Sequence, residues 1–174
     1  MEEFQGVTSR AKKMQEDLIK YSGIPYTIIR STQFFEFIAG VVQNGGRRDI
    51  EVSPALVQPI SGENLAEALA DAALDFGLRL GHGRIIEVAG PERFRLADLA
   101  TEVATAYDDR RRVIPSLSAP YFGAVLQQRS LLPGPHAHIA RMTFEDWLRE
   151  SLHPEFHRRA VIPRTMHEAR HSAP

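Results

Sequence analysis

Apolar positions along this 174-residue chain change period several times, and each change marks a new element. Ala11, Met14, Leu18 and Tyr21 recur at helical spacing and predict an amphipathic helix. Gly23 stands where a helix end favours a left-handed residue, and Pro25 blocks continuation. Tyr26-Thr27-Ile28-Ile29 is a β-branched run suited to a buried strand. Ser31-Thr32-Gln33 then places two hydroxyls and an amide at that strand's carboxyl end, where open α/β sheets bind ligands. A second helix is predicted from Phe34 to Gln43, with Phe34, Ile38, Val41 and Val42 facing the core and Asn44-Gly45-Gly46 as its breaker.

Ile50–Val52 and Leu56–Ile60 read as short extended pieces around Pro54. Ser61 is a candidate N-cap, with Glu63 in the first turn. The helix it opens runs to about Phe76, with Leu65, Leu69, Ala72, Ala73 and Phe76 on one face. Gly81-His82-Gly83 turns the chain into a strand, Arg84–Val88, which Gly90-Pro91 ends. Leu96, Leu99, Ala100, Val103 and Tyr107 mark another amphipathic helix. Beyond Asp108 the pattern weakens. A helix is predicted over Tyr121–Gln128 and a loop over Leu131–Pro135. Thr143 and Asp146 form a capping-box-like start to a last helix carrying Phe144, Trp147 and Leu148. Residues 151–174 hold no sustained period and read as an extended or disordered tail. Strands alternating with helices argue an α/β domain. Tyr26–Arg30 and Arg84–Val88 are apolar enough to be central strands.

Composition narrows the function classes. A hydrophobic share of 43% and a charged share of 25% are ordinary for a globular chain. A net charge of -1 gives no reason to expect nucleic acid or an anionic membrane as partner. The absence of cysteine excludes disulfides and thiol catalysis and suits a reducing cytoplasm, the expected location. No apolar run approaches the ~20 residues of a membrane span, and MEEFQG is too acidic for a signal peptide.

Four stretches carry a resemblance: AKKMQEDLIKYSGIPYTIIRSTQFFEF, ALVQPISGENLAEAL, IIEVAGPERFRLADLA and MTFEDWL. In order and spacing they resemble the carboxyl-terminal half of NmrA-like, atypical short-chain dehydrogenase/reductases, over about residues 10 to 149. The resemblance implies a partial Rossmann-like parallel sheet with flanking helices and a helical carboxyl-terminal lobe. Residues 1–150 would form that half of an NAD(P)-binding domain, ahead of the tail. It implies NAD or NADP as cofactor and a small molecule as substrate. Lys12 would be the catalytic lysine, bonded to the nicotinamide ribose. Ser31, Thr32 and Gln33 would line the nicotinamide. Phe34, Phe35 and Phe37 would contact an apolar substrate, with at least one of them in the core.

The departures from that family are as specific. The glycine-rich loop that cradles a pyrophosphate is nowhere in the sequence. Four positions before Lys12 stands Thr8, which cannot supply a phenol of ordinary pKa about 10 for acid–base work. The resemblance, with these departures, implies an NAD(P)-linked oxidoreductase lacking its amino-terminal nucleotide-binding half. The alternatives are a non-catalytic, dinucleotide-sensing module and a gene fragment without activity of its own. An unpaired sheet edge would invite a homodimer.

His167-Glu168-Ala169-Arg170-His171 matches a zinc-hydrolase string, but no apolar helix face supports it, and no metal site is expected. Arg110-Arg111-Arg112 is flanked by Asp108 and Asp109 and reads as a solvated loop rather than a phosphate grip.

Overall fold

The computed structural model describes residues 7–74, 83–119, 121 and 126–153. The elements run α1 (Val7–Tyr21), β1 (Thr27–Ser31), α2 (Phe35–Gln43), β2 (Asp49–Val52), β3 (Leu56–Val57) and α3 (Gly62–Leu74). They continue with β4 (Arg84–Ala89), β5 (Phe94–Arg95), α4 (Leu96–Ala106), β6 (Arg112–Pro115), β7 (His138–Ile139) and α5 (Phe144–Ser151). The fold is α/β, with helices flanking parallel strands.

One sheet has the order β1-β4-β7, and both of its pairings are parallel. The register sets Thr27 beside Arg84 and Ser31 beside Val88. β2 pairs with β6 in parallel, and β3 with β5 antiparallel. β4 is thus the central strand of the first sheet. Among the described residues β1 stands at an edge of that sheet, the unpaired edge that the sequence led us to expect, and its residues are only half-buried.

The core gathers the apolar faces of α2 and α4 against β2, β3 and α5. Leu96, Leu99, Ala100 and Val103 are buried, as the helical spacing of that segment requires. On α2 the buried set is Phe35, Ile38, Ala39 and Val42. Phe35 fills the place expected for Phe34, because the helix starts one residue later with Phe34 as its N-cap. Neither Ser31 nor Thr32 caps α2. The Phe34 cap makes no side-chain hydrogen bond, and Phe35 N–H instead donates to the Ile60 carbonyl at 3.1 Å.

Arg111 is committed at the other end of α2. Its guanidinium donates to the carbonyls of Val42, Gly45 and Gly46 at 2.7, 3.0 and 3.0 Å, and it pairs with Asp109. Bonded carbonyls at a helix end are what a cation satisfies best. Arg112 meets Asp49 at 3.1 Å. These two members of the arginine run therefore tie elements together.

Two helices depart from the expected burial. No residue of α3 is buried, and Leu69 and Leu74 are exposed. On α1, Met14, Leu18 and Tyr21 all face solvent. The apolar period reports amphipathicity correctly, but among the described residues nothing covers those faces. The helix expected over Tyr121–Gln128 is not seen at its described ends, since Tyr121 forms an isolated bridge and Gln128 a turn. α5 extends through Ser151, and the rest of the expected tail beyond His153 lies outside the described residues, as does the histidine string. Among the described residues no helix is long and apolar enough to cross a membrane.

Candidate functional site

The site is built on the carboxyl end of β1. Gly23, at φ 71°, ends α1 in the left-handed conformation that glycine adopts freely. The chain then reverses into β1. Past Ser31 the backbone stays tied to its neighbours. Thr32 N–H donates to the Val88 carbonyl at 3.1 Å, and Ile60 N–H donates to the Gln33 carbonyl at 2.9 Å. The turn is thereby clamped between the end of β4 and the segment entering α3. Gly90 supports the clamp, since its backbone lies so close to the Pro59 carbonyl that a Cβ would collide.

Four buried side-chain polar atoms lack a partner among the described residues: Thr27 Oγ1, Thr32 Oγ1, Gln33 Oε1 and Glu36 Oε2. Three of them lie on this turn and the first turn of α2. Buried polar atoms are normally paired, and an unpaired one costs about 1–3 kcal/mol. Such a cluster leaves three buried polar atoms open to a further hydrogen-bond partner, a water or a ligand. Two of the three atoms are carbonyl or carboxylate oxygens that only accept, and Thr32 can also donate.

Glu36 is the member of this candidate site that sequence reasoning missed. Its Oε1 accepts from Gly62 N–H at 3.3 Å and from Trp147 Nε1–H at 3.2 Å. It therefore joins α2, the start of α3 and α5. The legible signal was an acidic residue in the first turn of a helix, where the dipole favours it. Its partners, 26 and 111 residues further along, were not legible.

Val88 and Ile60, the two residues bonded to Thr32 and Gln33, also line an open groove of about 800 Å³. One wall is α3, through Asn64, Glu67, Ala68 and Asp71. The other runs from His138 to Met142 and on to Asp146 and Glu150 of α5. Asn64 spans the two walls, accepting from Met142 N–H at 3.0 Å. Four carboxylates face one arginine, Arg141, so the lining disfavours anions.

Of the expected apolar contacts, Phe35 is fully buried and packs on Phe144 and Trp147 with ring centroids 5.6 and 5.4 Å away. It is the core member of the three. Phe37 meets Tyr121 edge-on at 5.5 Å, and Phe34 is half-buried at the helix cap. Burial pushes the Tyr121 phenol well above its ordinary range.

Lys12 is exposed on α1, and its Nζ donates to Gln15 Oε1 at 3.3 Å. No described contact joins it to the Ser31–Gln33 turn. One helical turn further on, Glu16 takes a two-pronged bond from Arg30 of β1, at 2.9 and 2.6 Å. Hydrogen bonding from Arg30 holds the Glu16 carboxyl down to about 2, and the carboxylate raises the Arg30 pKa in return. This pair pins α1 to β1 near its carboxyl end.

No family model and no curated protein matches the chain. Among solved structures it is similar to a nucleoside-diphosphate-sugar epimerase from Staphylococcus aureus, at 13% identity and a TM-score of 0.49, over 67% of this chain and 41% of that one. It is also similar to a hypothetical dTDP-4-dehydrorhamnose reductase from Sulfolobus tokodaii, at 20% identity and a TM-score of 0.42, over 84% of this chain and 48% of that one. The chain thus spans less than half the length of either.

Proposed function

We propose that this chain forms the substrate side of an NAD(P)-dependent oxidoreductase of the NmrA-like, atypical short-chain dehydrogenase/reductase type. The observation that carries the reading is the cluster of unpartnered polar atoms of Thr32, Gln33 and Glu36 at the carboxyl end of a parallel strand. Their chemistry fits a carboxamide such as that of nicotinamide, whose NH2 donates twice and whose carbonyl accepts once. Ser31 adds a hydroxyl beside them. Lys12 would reach the adjoining ribose, and Phe34 and Phe37 would border an apolar substrate portion, with Phe35 holding them from the core. When bound, the cofactor would supply a hydride.

The phosphate half of the cofactor has no cradle in this sequence, so its backbone anchoring would come from residues outside the chain. Under this reading the chain alone is a fragment without activity. Thr8 in place of a phenol favours a second reading, a module that senses the dinucleotide without turning it over. Titration calorimetry with NADPH and NADH separates these outcomes. The 174-residue chain is expected to bind neither usefully, whereas a chain extended upstream by a glycine-rich βαβ unit binds one of them. Lys12→Ala in the extended chain should weaken binding by about 1–3 kcal/mol, the worth of a hydrogen bond from a charged group. Low-micromolar binding by the short chain would overturn the division of labour, and no binding by the extended chain would overturn the cofactor reading. Turnover of a carbonyl substrate distinguishes the enzyme from the sensor.

A further inference from the structure

The short strand β5 carries charge that the candidate site does not use. Antiparallel pairing sets Arg95 opposite Leu56 and Phe94 opposite Val57, and the same register brings Arg93 opposite Gln58. Side chains alternate along a strand, so the two arginines share one face. Phe94 turns to the other, edge-on to Phe144 at 5.7 Å. Both arginines are exposed, yet Arg93 is held in place. Its Nε–H donates to Gln58 Oε1 at 2.8 Å, and Gln58 Nε2–H donates to the Gly90 carbonyl at 2.8 Å. Gln58 is only 4% exposed. A buried amide thus fixes a surface guanidinium to the segment that leaves β4 at its carboxyl end.

These guanidiniums have no counter-charge. Arg30, Arg111, Arg112 and Arg149 each form an ion pair, whereas Arg93 and Arg95 form none among the described residues. The neighbouring carboxylate, Glu92, accepts from Phe144 N–H at 2.9 Å, on the Phe94 side of the strand. Successive side chains on one strand face stand about 7 Å apart, within reach of a single group placed between two long arginines. A carboxylate has two oxygens, which one guanidinium fork satisfies, whereas a phosphoryl group has three and can serve both forks. We propose that Arg93 and Arg95 form a phosphate site, and that its ligand is a phosphate ester. The place suits a ligand. Gly90 follows the last residue of β4, and Ile60, two residues past Gln58, bonds the Gln33 carbonyl. Both segments therefore lie past the carboxyl ends of the parallel strands, where α/β sheets bind ligands.

Titration of the isotope-labelled 174-residue chain with inorganic phosphate at constant ionic strength, followed by NMR, tests this. The Nε–H signals of Arg93 and Arg95 should shift and saturate, and that of the exposed Arg47 should not respond. Acetate at the same concentrations should give no saturation. Arg95→Ala leaves Gln58 its partner and should weaken phosphate binding about tenfold, the worth of a hydrogen bond from a charged group. Arg93→Lys keeps the charge, loses the fork and should weaken binding by about the same factor. Competition identifies the source of the phosphate. Displacement by glycerol phosphate assigns the site to a substrate, displacement by NADPH alone assigns it to the cofactor, and displacement by neither overturns it. Shifts that never saturate, equal binding of acetate, or full affinity in Arg93→Lys would each overturn the proposal too, because general attraction between charges would then account for the response.

Discussion

Glu16 shows how one side chain can decide where a helix sits. With its apolar stripe facing solvent, α1 is tied to the sheet by the Glu16–Arg30 pair, and Lys20 of the same helix lies 3.1 Å from Glu16. The carboxyl sits at about 2 rather than 4.5, so its ionised form is favoured by folding. Stability from this source is full above the ordinary glutamate range and drains away as the pH falls from about 4.5 toward 2. Both side chains are partly wet, so Glu16→Gln is expected to cost only about 1 kcal/mol at neutral pH. Thermal melts at pH 7 and pH 3 check this: the gap between wild type and variant should narrow at the lower pH. Thr32 offers the complementary experiment. Its hydroxyl is buried and unpartnered, so Thr32→Val removes an unmet polar group at little change in shape. The free protein should be unchanged or stabilised by up to ~1 kcal/mol. If the hydroxyl serves a ligand, cofactor binding by the upstream-extended chain should weaken about fivefold, as calorimetry would read. Equal binding would mean that the orphan atom belongs to the turn alone.

At the scale of elements, α5 makes the strongest link between sequence and packing. Thr143 accepts from Asp146 N–H at 3.2 Å and donates to its carboxylate at 2.7 Å, a cap that the spacing of the two residues announces. The cap fixes the helix that carries Trp147, the protein's single tryptophan, onto Phe35 and toward Glu36. Thr143→Ala should therefore cost about 1 kcal/mol and fray the first turn of α5. Its signature is a red-shifted, more quenchable tryptophan emission before the main melt; emission that changes only with global unfolding would detach the cap from the site. Elements of this kind were legible because their signals are local: β-branched runs for β1 and β4, capping residues for α5, and a glycine stop for α1. The two-residue strands β5 and β7 were not, since each exists only through its partner, β3 and β4 respectively. The slip from Phe34 to Phe35 has a similar cause. Two adjacent phenylalanines satisfy a helical face almost equally, and the helix start that separates them is set by the bond to Ile60.

For the whole molecule, helical period says that a face is apolar and is silent on whether its cover is in the same chain. That is why α4 matched expectation and why α1 and α3 did not. The site divides in the same way: the polar turn after β1 was visible at a strand end, whereas Glu36, the groove and the clamp through Val88 and Ile60 arise from long-range contacts. The edge position of β1 gives this argument a direct readout. Arg84 N–H donates to the Tyr26 carbonyl and Thr32 N–H to the Val88 carbonyl, each at about 3 Å. Parallel ladders use alternate residues, so Ile28 and Arg30 bond to β4 while Thr27, Ile29 and Ser31 turn their amides outward. Amide exchange followed by NMR should then show a two-residue alternation along β1. Ile28 and Arg30 should be slow, and Thr27, Ile29 and Ser31 fast, as befits an open edge. A strand added to β1, from another copy or from an upstream half of the sheet, erases it by slowing the odd-numbered amides. Slow exchange at Ile29 in the dilute 174-residue chain would therefore mean that the edge is already covered, and that β1 is not the border of this sheet.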